Sequence, residues 1–104
     1  MNSRTVLALS PHTDDAEFGA GATIAREVAE GSRVVLVAFS ACERSVPEGF
    51  STTALRTEFL NAASVLGVSD MECLAFDVRT MPDRRQEVLD VMLRLRREYA
   101  PDVV

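Results

Sequence analysis

The chain has 104 residues, a formal net charge of −5 and a sequence pI of about 4.8. This length suits one small domain. The acidic balance excludes a general binder of phosphate backbones, which needs clustered positive charge, so we expect no nucleic-acid partner. All eleven basic residues are arginine, which excludes a P-loop lysine, a Schiff-base lysine and a Ser–Lys dyad within these residues.

The cysteines and the hydropathy pattern indicate where the protein works. Cys42 and Cys73 lack C-x-x-C spacing and are typical of free thiols in a reducing compartment. The apolar runs are too short to span a bilayer, and the first residues are not typical of a signal peptide. We therefore expect a cytoplasmic protein with no membrane span.

Strand and helix periodicities alternate along the first half of the chain. Residues 5–9 are apolar and nearly continuous, which predicts a strand buried on both faces. Apolar residues then recur at helical spacing from Phe18 to about residue 30, where Gly31 supplies a stop. Residues 33–40 are β-branched and apolar throughout and predict the clearest strand of the chain.

The alternation continues through the second half. Residues 41–51 contain Pro47 and Gly49 and predict a loop. A second amphipathic helix is predicted from Leu55 to Leu66, ended by Gly67. Residues 71–76 predict a third strand.

A third helix is predicted after Pro82 and ends before Pro101. Its apolar stripe is Val88, Met92, Leu95 and Tyr99. Its arginines, expected to point outward into solvent, are Arg84, Arg85, Arg94, Arg96 and Arg97. Residues 102–104 then read as the beginning of a fourth strand.

This order predicts an α/β fold: a Rossmann-like, three-layer parallel sheet of β-α-β-α-β-α topology, with a fourth strand just starting. Parallel strands joined by helices need right-handed crossovers. Because the fourth strand has only begun at Val104, we expect the chain to be a fragment, or to be continued by residues from elsewhere.

Residues 10–19, between the first strand and the first helix, concentrate the residues that carry chemistry. They include the only histidine of the chain, His12, and three acids. Ligands of open α/β sheets bind outside the carboxyl ends of the strands, which is where this segment lies. His12 and Asp15, three apart around a turn, can converge on one zinc ion. Asp14 would point elsewhere, as an acid beside the metal that can take a proton from water.

The same residues have a simpler interpretation. Asp14 or Asp15 could cap the first helix, where exposed N–H groups and the helix dipole favour carboxylates. His12 could be an ordinary surface residue. The residues alone leave both interpretations open.

Residues 11–24 resemble the opening motif of the LmbE-like (PIG-L-like) deacetylase family. That motif reads Pro-His-Pro-Asp-Asp followed by a glycine-rich helix start, and it follows the first strand, as here. The resemblance continues through residues 56–68 and 74–77. It implies that residues 1–104 are the N-terminal part of a single LmbE-like deacetylase domain.

The resemblance also implies roles for individual residues. His12 and Asp15 would be zinc ligands, Asp14 the general base, and Arg56 and Asp77 substrate contacts. The family hydrolyses the acetamido group of a small N-acetyl sugar or conjugate, of the N-acetylglucosamine type, releasing acetate and an amine. Arg56 as a solvated helix residue and Asp77 as a loop acid remain alternatives.

Several departures from the family pattern matter. Thr13 replaces the usual proline, which is expected to loosen the turn, and Ala20 and Ala22 stand where cysteine or glycine is frequent. Residues 40–43 replace a Thr-x-Gly-Glu-like loop, so we expect the pocket wall to differ in shape from that of the family.

The largest departure is an absence. The third metal ligand of the family, a second histidine after the fourth strand, has no counterpart in this chain. Two protein ligands make a weak zinc site, so these residues alone are expected to catalyse poorly. The first strand would also expose an apolar edge, through which the chain could form a homo-oligomer.

Two other functions fit parts of the sequence. A magnesium-binding receiver or phosphotransfer module would use the paired acids after the first strand, with Asp77 as phosphoacceptor, but the chain has no lysine for its distal position. A non-catalytic α/β interaction module would explain the missing ligand.

Overall fold

The computed structural model describes residues 4–104. Residues 1–3, on which the expectation about a signal peptide partly depends, lie outside the described residues. The elements are β1 (Thr5–His12), α1 (Asp15–Ala29), β2 (Arg33–Ser40), α2 (Ala54–Leu66), β3 (Asp70–Cys73) and α3 (Arg85–Tyr99). Short 3₁₀ helices at Glu43–Ser45 and Met81–Arg84 lie in the loops before α2 and α3. None of these helices is long and apolar enough to cross a membrane.

The predicted elements are all present, and two strands differ in length from the prediction. β1 continues to His12 rather than ending at residue 9, because its register with β2 extends as far as the pair His12 and Ser40. Pro11 is tolerated there since β1 is an edge strand along this stretch. β3 is shorter than predicted and ends at Cys73.

The three strands are parallel in the order β1-β2-β3, so β2 is central. Its core residues from Val34 to Ala38 are fully buried, which explains the continuous apolar run in the sequence. The expected fourth strand is present as one parallel bridge between Val6 and Val103. The N–H of Leu7 donates to the carbonyl of Val103 at 2.9 Å, so this strand begins on the outer side of β1.

Helices cover both faces of the sheet, which confirms the three-layer α/β architecture. One apolar cluster joins α1 and α2 to the sheet: Ile24, Val34, Leu36, Ala38, Phe59 and Ala63. The other joins α3 to the opposite face: Leu7, Val35, Val37, Phe39, Leu95 and Tyr99. α2 ends at Gly67, whose φ of 78° favours glycine, and a Cβ there would approach Val28 Cγ1 to 3.3 Å.

The arginines predicted to point outward are largely exposed, except that Arg94 is half-buried against β3. Arg94 donates to Glu72 of β3 at 2.8 Å and to Glu98 at 2.8 Å. Arg84 lies over the ring of Phe76, with 5.3 Å from its guanidinium carbon to the ring centroid. The bond from Arg94 to Glu72 joins residues 22 positions apart, which helical periodicity cannot reveal.

The outer edge of β1 is apolar and largely open, as the sequence predicted. A groove of about 480 Å³ lies between β1 and α1, and another of about 390 Å³ lies between β1 and α3. Leu7, Leu9 and Val104 line both grooves. Oligomerisation through this edge remains a prediction.

Candidate metal and catalytic site

The acidic segment lies at the topological switch point of the sheet. β2 pairs on one side of β1, and the bridge from Val103 forms on the other, so the strand order reverses at β1. Open α/β sheets bind ligands at the carboxyl ends of the strands where this reversal occurs. His12 ends β1 and Asp15 begins α1, so both stand at that position.

His12 and Asp15 converge, as the sequence predicted. His12 Nδ1 lies 3.5 Å from Asp15 Oδ2, and the backbone N–H of His12 donates to the same oxygen at 3.0 Å. The two side chains are 36% and 48% exposed, so a ligand from solvent can reach them. Two ligands bound tetrahedrally to zinc at ordinary bond lengths lie about 3.3 Å apart. The pair therefore fits a shared zinc ion, and also an ion pair in which the imidazole is protonated.

Asp14 occupies the N-cap position of α1 in a left-handed conformation, with φ of 80°. Its backbone N–H donates to Glu17 Oε2 at 2.9 Å, and its carbonyl accepts the N–H of Phe18 at 2.9 Å. Within the described residues, no ion pair or hydrogen bond joins the Asp14 carboxylate to His12 or Asp15. Asp14 therefore stands beside the His12–Asp15 pair without bonding to it.

The turn before Asp14 is attached to the neighbouring strand. Thr13 is buried, and its N–H donates to the carbonyl of Ser40 at 3.2 Å. A proline here would have no N–H to donate. The expectation that threonine loosens the turn is therefore wrong, because this threonine adds a hydrogen bond to β2.

Arg56 is held against the end of β3 rather than free in solvent. Its Nη1 donates to the carbonyl of Cys73 at 2.9 Å, and the side chain is half-buried. Burial raises the pKa of the Cys73 thiol, and the nearby Arg56 charge opposes that rise. The interpretation of Arg56 as a fully solvated helix residue does not fit this geometry.

Asp77 lies in the loop after β3, beside the loop after β2. Its Oδ1 is 3.4 Å from Arg44 Nε, and both residues line a cavity of about 40 Å³ that also contains Ser40 and Cys42. The lining includes neither Arg56 nor any of the His12, Asp14 and Asp15 group. The structure thus brings His12, Asp14 and Asp15 together, and leaves Arg56 and Asp77 in separate contacts at the same end of the sheet.

The described residues supply two of the donors that a metal would need. Across residues 4–104, no group of three or more His, Cys, Asp or Glu side chains is arranged to hold a metal ion. His12 and Asp15 remain a two-donor pair. The sequence interpretation gave no role to Glu17, whose bond to Asp14 could have been expected from the three-residue spacing of a capping box.

The comparisons with known proteins identify the family. Residues 7–104 match the family described as PIG-L: GlcNAc-PI de-N-acetylase. The chain belongs to this family. A comparison with the curated proteins finds no significant match.

Solved structures confirm the fold. N,N'-diacetylchitobiose deacetylase from Pyrococcus horikoshii is 29% identical with a TM-score of 0.82, over 98% of this chain and 40% of that one. The zinc-inhibited form of the teicoplanin deacetylase Orf2 is 19% identical with a TM-score of 0.78, over 95% and 54%. The 4-carboxy-2-hydroxymuconate hydratase of Pseudomonas putida KT2440 is 24% identical with a TM-score of 0.73, over 96% and 45%.

Two facts limit what the fold says about activity. The chain spans 40% of the length of the chitobiose deacetylase and 54% of the teicoplanin deacetylase. The same fold also occurs in a hydratase. The reaction of this protein has to be argued from its residues.

Proposed function

We propose that these residues are part of a metal-dependent hydrolase that removes the acetyl group from an N-acetylated sugar or sugar conjugate of the N-acetylglucosamine type. The family description and the 29% identity to a chitobiose deacetylase support a deacetylation reaction. The observation that carries the proposal is the 3.5 Å between His12 Nδ1 and Asp15 Oδ2 at the carboxyl end of β1.

His12 and Asp15 would hold the metal, for which we propose zinc. Imidazole nitrogen together with carboxylate oxygen suits this ion. A deacetylase of similar fold is described in a zinc-inhibited form, which supports metal binding by this fold rather than the choice of zinc as the active metal. When bound, zinc supplies Lewis-acid activation of water and of the amide carbonyl. Catalytic zinc sites use three protein ligands, so a further ligand has to come from outside the described residues. These 104 residues alone should therefore be weak or inactive as a catalyst.

Asp14 would act as the general base. It is half-buried beside the His12–Asp15 pair and makes no bond to either side chain in the described residues. Its side chain belongs to the capping box with Glu17, and a carboxylate has further acceptor positions for a water molecule. A positioned carboxylate that accepts a proton from the attacking water contributes about 10²- to 10⁴-fold to the rate. Amide hydrolysis then releases acetate and an amine.

Arg56 and Asp77 would contact the sugar. Arg56 donates one N–H to the Cys73 carbonyl. A guanidinium has five N–H donors, so others remain for sugar hydroxyls. Asp77 is 42% exposed beside Arg44, and its carboxylate can accept hydrogen bonds from hydroxyl groups. Both lie at the end of the sheet that carries His12, which supports one substrate-binding face.

We also propose that the protein is cytoplasmic. Cys42 and Cys73 are free and only partly buried, which suits a reducing compartment.

The test uses the natural gene product that contains these residues. Wild type should contain one zinc per chain and release acetate from an N-acetylglucosamine conjugate. H12A and D15A should each lose zinc, measured by elemental analysis, and lose acetate release by more than about 100-fold, because removing a ligand removes the ion.

E30A is the matched control, since Glu30 lies at the far end of α1 and pairs with exposed Arg26. It should keep both zinc and activity. An H12A protein that keeps its zinc content and its rate of acetate release would overturn the proposal.

The receiver alternative does not fit the strand order. A receiver-type sheet places its first strand between the second and third, whereas β2 is the central strand here. The zinc measurement also tests the non-catalytic interaction module. If the natural gene product contains no stoichiometric zinc, that alternative is favoured.

A further inference from the structure

Glu17 is an acid of the first turn of α1 that the proposed mechanism does not use. Its Oε2 accepts the backbone N–H of Asp14 at 2.9 Å. Its Oε1 is buried and has no hydrogen-bond partner among residues 4–104. One oxygen is therefore hydrogen-bonded to the Asp14 backbone, and the other is enclosed by the protein.

The residue that Glu17 holds has an unusual backbone. Asp14 has φ of 80°, a left-handed conformation that is uncommon outside glycine and that aspartate adopts more often than most residues. The Asp14 carbonyl is fixed by the N–H of Phe18, as in any helix start. The Asp14 N–H is bound by the Glu17 side chain, which is one of the two bonds of a capping box.

Helix capping accounts for one oxygen of the Glu17 carboxylate, because Oε2 closes a capping box with Asp14. An acid in the first turn is favoured by the helix dipole, and a cap needs one acceptor oxygen while the other can stay in water. Here the second oxygen, Oε1, is buried as well and has no partner among residues 4–104, which capping does not require. The Glu17 carboxylate therefore contacts the Asp14 backbone through one oxygen and the protein interior through the other.

We propose that Glu17 is a positioning residue that fixes Asp14 in the orientation from which its carboxylate acts on the substrate water. The inference rests on the proposed function, in which Asp14 is the general base. Glu17 does not touch metal or substrate in this account. It acts only through the hydrogen bond to the Asp14 N–H.

The experiment compares E17A, E17Q and E17D in the natural gene product, with E30A as the control on the same helix. The measurements are kcat and KM for acetate release, zinc content, and the hydrogen-exchange rate of the Asp14 amide by NMR. E17A should lower kcat by about 10- to 100-fold, because a small misplacement of a reacting group has an effect of this size. KM should stay within about twofold and zinc content unchanged, because no ligand is removed.

The amide-exchange measurement reads out the contact without relying on activity. In E17A the Asp14 amide should exchange at least about tenfold faster, because its hydrogen bond to a charged acceptor is lost. E17Q keeps an acceptor oxygen of the same reach and should restore both kcat and slow exchange. E17D keeps the charge but is one methylene shorter, so it should lose the hydrogen bond and behave like E17A. It replaces E17A in the comparison if E17A folds poorly.

The outcomes separate this inference from the proposed function. Wild type without acetate release, or D14N as active as wild type, would overturn the proposed function and with it the role of Glu17. If wild type is active and D14N is not, an E17A protein with the kcat of E30A would overturn the positioning role alone. An E17Q protein as impaired as E17A would overturn it too, since charge rather than the hydrogen bond would then matter.

Discussion

At the scale of single residues, the sequence predicted which two side chains meet at the end of β1, but not the contacts that hold the turn between them. His12 and Asp15 were expected to converge because they lie three apart around a strand-to-helix turn, and they do, at 3.5 Å. The bond from Thr13 to Ser40 was not predictable, because it depends on a strand almost thirty residues away. The sequence shows which groups can react, while long-range contacts decide how firmly they are held.

Asp14 offers a test that separates a base from a helix cap. D14N keeps the size of the side chain, its capping ability and its tolerance of a left-handed φ, but loses the charge that accepts a proton. We expect D14N to retain zinc and its midpoint of thermal unfolding, and to lose about 10²- to 10⁴-fold in kcat.

D14A is the companion variant. It should be equally inactive and also less stable by about 1–2 kcal/mol, because alanine neither caps a helix nor favours φ of 80°. Acetate release and thermal unfolding check both variants. Full activity in D14N would reduce Asp14 to a structural cap.

At the scale of elements, the strength of the local pattern decided what could be predicted. β2 was predicted with its observed bounds because residues 33–40 are apolar and β-branched throughout. β3 was predicted less well because its four residues, Asp-Met-Glu-Cys, have no such pattern. Instead, β3 is held by side chains from other elements: Asp70 binds Arg33 and Glu72 binds Arg94. Partners 37 and 22 residues apart leave no periodic signal.

Glu72 is the centre of a polar network that joins β3 to α3. Its carboxylate accepts the Tyr99 hydroxyl at 2.6 Å and the Arg94 guanidinium at 2.8 Å. Arg94 first, and then Tyr99, holds the pKa of Glu72 below its ordinary value, against the effect of burial. The hydrogen bond to Glu72, together with burial, raises the pKa of Tyr99 to about 12.

The signs of these shifts predict how stability depends on pH. Folding lowers the pKa of Glu72. Its contribution to the free energy of unfolding is therefore present above its ordinary pKa, and is lost as pH falls through its pKa in the folded protein. Folding raises the pKa of Tyr99 from 10.0 to about 12. Its contribution to the free energy of unfolding is therefore present below pH 10 and is lost as pH rises toward 12. The free energy of unfolding should therefore fall at both extremes.

Y99F tests the alkaline part of this prediction. Phenylalanine keeps the ring under the Arg33 guanidinium but removes the hydroxyl that donates to Glu72. We expect a loss of about 1.5–3 kcal/mol at pH 7, typical of a hydrogen bond to a charged group, and no further loss from this site between pH 10 and 12. Urea unfolding across this pH range measures both effects.

The control for Y99F is R26A, which breaks an exposed pair with Glu30 and should change the free energy of unfolding by less than about 1 kcal/mol. If Y99F and R26A are equally stable at pH 7, the network does not join β3 to α3 as argued.

At the scale of the whole molecule, the open side of β1 determines how the chain behaves alone. Only the first residues of β1 pair with the segment around Val103, and apolar grooves flank the rest on both faces of the sheet. The alternation of strands and helices was enough to predict the fold and this exposed edge. It could not predict what covers the edge, because the sequence of an edge strand does not specify its partner.

The chain of 104 residues, studied alone, should therefore self-associate. Unpaired strand edges flanked by apolar surface associate at micromolar to millimolar concentration. V104K should weaken this association, because Val104 is 76% exposed and lines both grooves, and the lysine would place a charge beside the edge.

V65K is the matched control, since Val65 is 87% exposed but lies on α2, outside both groove linings. Sedimentation velocity should show concentration-dependent oligomers for wild type and V65K, and a shift toward monomer for V104K. A wild-type chain that stays monomeric at about 100 μM would show that these grooves do not drive association.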